Sequence, residues 1–113
     1  RDRMQKYDQW LETPTVHYKS DPSYFFYCVT VKESSPVSRD EFVREFEQRG
    51  IRTRPYFAGN ILKQPAYYHE KNVELPVSTY LMKNTFVFGV WPGLEAEHFD
   101  YIDSVVQELF NAK

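Results

Sequence analysis

Apolar positions along this chain recur in two rhythms, one near every third or fourth residue and one at every second, and the switches between them mark out its elements. In residues 1–12, Met4, Tyr7, Trp10 and Leu11 fall at spacings of three and four among charged neighbours, which predicts an amphipathic helix. Thr13-Pro14 ends it, because the residue before a proline is pushed out of helical geometry. Residues 17–23 form a polar connector with Asp21-Pro22 as its turn, and residues 24–32, YFFYCVTVK, read as a strand. The near-continuous apolar run of that strand predicts burial on both faces in its first half. After a loop at 33–37, Ser38 and Glu41 have the spacing of a capping box, in which each satisfies the other's backbone amide. Phe42, Val43 and Phe46 line one stripe of the helix that follows, and Gly50 stands just past Arg49, where a left-handed cap is wanted.

The second half is shorter-winded. Residues 51–54 predict a short strand ended by Pro55, and Gly59-Asn60 turns the chain into a helical piece at 61–64, stopped by Pro65. A polar loop at 67–75 leads through Pro76 to a helical stretch at 78–84, with Leu81 and Met82 inward. Residues 85–91, TFVFGVW, read as a strand, and Pro92-Gly93 as a turn. The last helix, 95–110, sets Phe99, Ile102, Val106 and Leu109 on one stripe with Val105 beside it. The order predicts a small α+β domain of about three mostly antiparallel strands, with helices packed on one face and the other free to dock against a larger domain.

The totals narrow the class. At 113 residues the chain is one domain, able to bury roughly two-thirds of its unfolded surface. Nine Tyr and nine Phe suit two readings: a core of large rings, or a surface that lays rings against another domain or a ring-bearing ligand. A net charge of −2 argues against a nucleic-acid binder, and 85–91 lacks the basic, glycine-containing pattern of an RNA-stacking strand. The single cysteine, Cys28, makes no internal disulfide framework and points to a reducing cytoplasm. No apolar run approaches the ~20 residues of a membrane span.

Complete catalytic or metal-binding sets are absent. His17, His69 and His98 lie far apart in loops or on a polar helix face, and no HExxH, CxxC or GxSxG occurs. Glu95, Glu97 and Asp100 make an acidic first turn that the helix dipole explains. The stretch 50–67, GIRTRPYFAGNILKQPAY, is the informative one. Arg52 and Arg54 alternate on a strand and project to one face, where two guanidiniums could clamp a phosphate or carboxylate, or could pair with nearby Glu residues or a docked domain. Tyr56 and Phe57 follow, and at Gly59-Asn60 bare backbone and an amide can approach a ligand.

From about residue 22 to 109 the chain resembles the C-terminal domain of the DegT/DnrJ/StrS sugar aminotransferases, fold-type I enzymes that use pyridoxal phosphate or its amine form. The resemblance is carried by GIRTRPYF, QPAY at 64–67, LPVSTYLM at 75–82 and FVFGVWPGLEAEHFDYI at 86–102. Where typical members carry a Pro-Leu-His segment, this chain has Gly59-Asn60-Ile61-Leu62-Lys63. That form and the GVWPGL ending are similar to the branch of nucleotide-sugar 3-dehydratases, exemplified by CDP-4-dehydro-6-deoxyglucose 3-dehydratase and the colitose-pathway enzyme. The resemblance implies pyridoxamine or pyridoxal phosphate in the full-length enzyme, with none bound to this piece alone. It also implies a 4-keto-6-deoxyhexose substrate in deoxysugar and lipopolysaccharide synthesis. There the cofactor amine condenses with the 4-keto group, a base removes a proton and the 3-hydroxyl leaves; a plain aminotransferase is the alternative.

The same resemblance makes residues 1–113 the small domain of a longer enzyme, with 1–12 the tail of a linking helix. The catalytic base, His or Lys, belongs to an N-terminal large domain that also makes the homodimer. No catalytic residue is therefore expected here, and Lys32, Lys63, Lys71 and Lys83 stand in no matching context for cofactor attachment. The expected contribution is one wall of a substrate site: Arg54 for a phosphate or carboxylate oxygen, Asn60 for a sugar hydroxyl, with Phe57, Gly59 and Tyr56 beside them. A free-standing small-molecule binding module is the competing reading from another class.

Overall fold

The computed structural model describes residues 2–70 and 72–113. Strands β1 (Leu11–Glu12), β2 (Tyr27–Val31), β3 (Thr53–Pro55) and β4 (Thr85–Phe88) form one antiparallel sheet in the order β1-β2-β4-β3. Helices α1 (Arg39–Gln48), α2 (Pro76–Asn84) and α3 (Ala96–Asn111) complete the α+β fold, with 3-10 turns at Asp2–Tyr7, Ile61–Lys63 and Pro65–Tyr67.

The register fixes what each sheet face carries. Tyr27 opposes Phe88 and Val29 opposes Phe86, so these side chains share a face. They meet Phe42 and Phe46 of α1 and Val105, Val106, Leu109 and Phe110 of α3 in the main core. Phe42 stacks on Phe86 at 5.9 Å between ring centroids, and Phe46 meets Phe86 edge-on at 5.5 Å. On the other face Thr30 and Thr85 share a buried hydrogen bond of 2.8 Å, next to the Cys28–Val87 pair. Burial there pushes the Cys28 thiol pKa up.

Local signals explain α1. The Ser38 and Glu41 capping box forms as the spacing predicts. At the other end the Gly50 N–H donates to the Glu47 carbonyl and the Ile51 N–H to the Phe46 carbonyl, the paired bonds of a Schellman stop. Gly50 has φ +79°, which glycine adopts without strain.

Several expectations need correction. The N-terminal segment is no continuous helix. It is a 3-10 turn, after which Leu11–Glu12 pairs with Thr30 and Val31 as a fourth, edge strand. Met4, Tyr7 and Leu11 are nonetheless buried and Trp10 packs on the core, so the inward positions were legible and the element was not. In the 24–32 run it is the second half, Val29 to Val31, that is buried; Phe25 is exposed and precedes the strand. The third strand starts at Thr53, leaving Arg52 ahead of it. Pro65 opens a second 3-10 turn rather than only stopping the first. Phe99 is exposed, and Phe110 takes the core position at the far end of α3.

Candidate substrate-facing rim

Strand β3 lies at the sheet edge beside β4, and the chain leaves it through Pro55. Thr53 is buried there and anchored by Glu47, whose carboxylate accepts its backbone N–H (2.5 Å) and its hydroxyl (2.7 Å). Those bonds hold the Glu47 pKa below the usual carboxylate range, with smaller contributions from the charges of Arg52 and Arg54. Because Glu47 is directed at Thr53, it does not form an ion pair with either arginine.

The arginines of this chain therefore divide. Arg3 pairs with Asp100, Arg39 with Asp40, Arg44 with Glu45, and Arg49 with Glu45 and Glu108. Among the described residues, Arg52 and Arg54 meet no carboxylate, and Arg54 donates to the neighbouring Thr53 carbonyl at 2.9 Å. Both line one open hollow of about 450 Å³ together with Phe25, Phe26 and Phe57.

The rings around it form an edge-to-face network. Phe26 lies 5.3 Å from Phe25, 6.2 Å from Tyr56 and 5.5 Å from Phe57, and Tyr56 lies 5.5 Å from Phe57. Phe25 is 85% exposed and Phe57 69% exposed. Phe57 also holds φ +48°, uncommon for a bulky side chain. One set of rings thus fills the core, and another stands exposed at this rim.

Gly59 and Asn60 fasten the turn that presents Phe57. Gly59 has φ +62°, and a Cβ there would lie 2.5 Å from the Met82 side chain of α2. Asn60 is only 4% exposed. Its side-chain amide donates to the Thr79 hydroxyl and its carbonyl oxygen accepts the Leu62 N–H, both at 2.9 Å. Arg54 and Phe57 thus share the rim hollow with Tyr56 adjoining. Asn60 lines a second hollow of about 810 Å³ with Lys63, Lys83, Glu33, Glu70 and Glu74. Phe25 and Phe26 fall within the strand expected at 24–32, but the strand begins only at Tyr27, which leaves both rings at the rim.

The histidines make no site. His98 accepts the Glu95 N–H at 2.9 Å and caps α3, and His69 lies near Glu70. Among the described residues no group of His, Cys, Asp and Glu could hold a metal ion, and no helix is long and apolar enough to cross a membrane. Lys71 lies outside the described residues.

An antiparallel sheet backed by helices, with its edge strand leading into an aromatic and guanidinium rim, makes a small α+β fold, and its solved structural neighbours are fold-type I pyridoxal-phosphate enzymes. The E. coli GDP-4-keto-6-deoxy-D-mannose-3-dehydratase structure superposes with a TM-score of 0.77 over 92% of this chain and 27% of that one, at 24% identity. The chain belongs to the DegT/DnrJ/EryC1/StrS aminotransferase family, whose model matches residues 1–107. It is 40% identical to the lipopolysaccharide biosynthesis protein RfbH of Salmonella typhimurium over 95% of its length, covering 25% of that protein. It is 32% identical to the dTDP-4-dehydro-2,6-dideoxy-D-glucose 3-dehydratase of Saccharopolyspora spinosa, over 88% of this chain and 22% of that enzyme. The chain thus spans about a quarter of the length of these relatives.

Proposed function

We propose that this chain is the C-terminal small domain of a nucleotide-sugar 3-dehydratase, and that it supplies one wall of the substrate site. One observation carries the reading: Arg52 and Arg54, without carboxylate partners, stand beside exposed aromatic rings on one hollow. Glu47 acts on both guanidiniums only from beyond ion-pair distance, which leaves their remaining donors free for an anionic ligand, and planar guanidinium groups match phosphate oxygens. The 3-dehydratase relative supports the reaction type, and RfbH supports a place in lipopolysaccharide synthesis.

Pyridoxamine or pyridoxal phosphate, when bound to the full-length enzyme, supplies the amine and the electron sink. This chain's donors fit an oxygen-rich anion at the rim. Among the described residues, the lysines weighed for attachment of the cofactor are placed elsewhere: Lys32 donates to the Asp8 carbonyl, and Lys63 and Lys83 line the other hollow. The proton-transfer groups therefore belong to the larger N-terminal part, which also forms the homodimer in the cytoplasm. Within the rim, Arg54 holds a phosphate oxygen, Phe57 and Tyr56 exclude water, and Gly59 and Asn60 place Phe57.

Full-length protein loaded with pyridoxamine phosphate and given a nucleotide-linked 4-keto-6-deoxyhexose is expected to release a 3-deoxy product, seen by mass spectrometry as the net loss of one oxygen atom, with the two electrons supplied by the pyridoxamine form or by an added reductant. Arg54→Ala should lower kcat/KM by at least tenfold, about 1.4 kcal/mol. Retention of the 3-hydroxyl with gain of an amino group would instead establish an aminotransferase, the reading favoured by the family's name. Unchanged kcat/KM in Arg54→Ala would remove this rim from the site.

A further inference from the structure

We infer that the rim is a nucleobase platform: Phe25 and Phe57 take the flat ring of a nucleoside diphosphate, and Arg52 and Arg54 take its two phosphates. This rests on the nucleotide-sugar reading above and deepens it, assigning the nucleotide half of the substrate to this chain.

Three features point to a ligand with a π face and an anionic tail. First, the hollow's lining includes both unpaired guanidiniums and no carboxylate, whereas the second hollow mixes two lysines with three glutamates and has no net preference for an anion. Second, the exposed rings are held by neighbours: Phe25 and Phe57 each contact Phe26 edge-on, so their faces are oriented before anything binds. Third, Phe57 is kept at positive φ by a turn pinned to α2 through Gly59 and Asn60, and this backbone strain falls on the ring that faces the hollow. At about 450 Å³ the space lies in the ~300–1,000 Å³ range of small-ligand sites.

Stacking on a phenyl face tolerates any base, because every base has a π face. The platform therefore holds the nucleotide without choosing it. Among similar proteins, one acts on a dTDP-linked sugar and another on a GDP-linked sugar, so one family works with both a pyrimidine and a purine. Selection between bases then falls to hydrogen-bond groups outside this rim.

The test titrates full-length protein calorimetrically with dTDP, GDP and inorganic pyrophosphate. Phe25→Ala and Phe57→Ala are expected to weaken both nucleotides by about tenfold while leaving pyrophosphate unchanged. Arg52→Ala and Arg54→Ala weaken all three ligands, and Phe25→Trp, which keeps a ring face, binds the nucleotides at least as well as the parent. Phe25 is 85% exposed, so its truncation leaves the core intact. Parental nucleotide affinity in both Phe variants overturns the platform, as does an equal loss for pyrophosphate, or no nucleotide binding by the parent. The dehydratase reading fails separately, if nucleotides bind but no 3-deoxy product forms.

Discussion

At the scale of single residues, Asn60 does more for the rim by what it holds than by what it exposes. Both polar ends of its amide are engaged inside the chain, at Thr79 and at the Leu62 N–H. Asn60→Ala leaves the Thr79 hydroxyl and the Leu62 amide without that partner, and should cost ~1–3 kcal/mol in urea unfolding. Gly59→Ala should cost at least as much, since its Cβ meets Met82 while its φ stays positive. Asn60→Asp keeps the acceptor for Leu62 and loses the donor to Thr79, so it should fall between Ala and the parent. That Gly-Asn marks a turn is plain from the sequence, because both residue types tolerate unusual backbone. That the amide is spent on Thr79 is not, because nineteen positions separate the partners and only the docking of α2 joins them.

Among the elements, α1 shows how a local code can be complete. Its start, apolar stripe and stop all lie within a dozen residues and act on one another directly. Its cap also carries a pH signature. The Glu41 carboxylate accepts from Lys113 and from the Ser38 amide and hydroxyl, and these bonds lower its pKa to about 2. A depressed carboxylate adds stability that is fully present above its unfolded pKa, near 4.5, and is lost as the pH falls toward 2. The thermal midpoint should therefore drop across that window in the parent. It should drop less in Glu41→Gln, read by circular dichroism melts at successive pH values. The N-terminal segment shows the opposite case. Met4, Tyr7 and Trp10 keep a helical spacing, yet Leu11 pairs with Val31, twenty residues on, and that non-local ladder decides the element. Phe99 misled for a related reason: it lies on the apolar stripe of α3, but in the first turn, where the helix has run past the core.

For the molecule as a whole, Phe110 is the joint. Its ring lies 5.4 Å from Tyr7, 4.4 Å from Trp10 and 5.5 Å from Phe42, so the first segment, α1 and α3 close on one side chain. Ion pairs from Arg3 to Asp100 and from Lys6 to Asp103, and the Tyr7 hydroxyl donating to Asp103, tie the same segment along α3. Phe110→Ala should cost ~3–5 kcal/mol in urea unfolding and speed proteolytic cleavage in the first twelve residues. The α+β class and the antiparallel strands were legible because each strand has its own residue bias. The order β1-β2-β4-β3 was not, because nothing local says that β4 runs between β2 and β3. That order has a mechanical consequence. The turn bearing Phe57 is bolted to α2, and α2 passes straight into β4, its last residue Asn84 directly followed by Thr85 in the middle of the sheet. The rim is therefore an anvil, continuous through α2 with an interior strand of the sheet. A load on Phe57 therefore passes through α2 into the sheet instead of being taken up by a free loop.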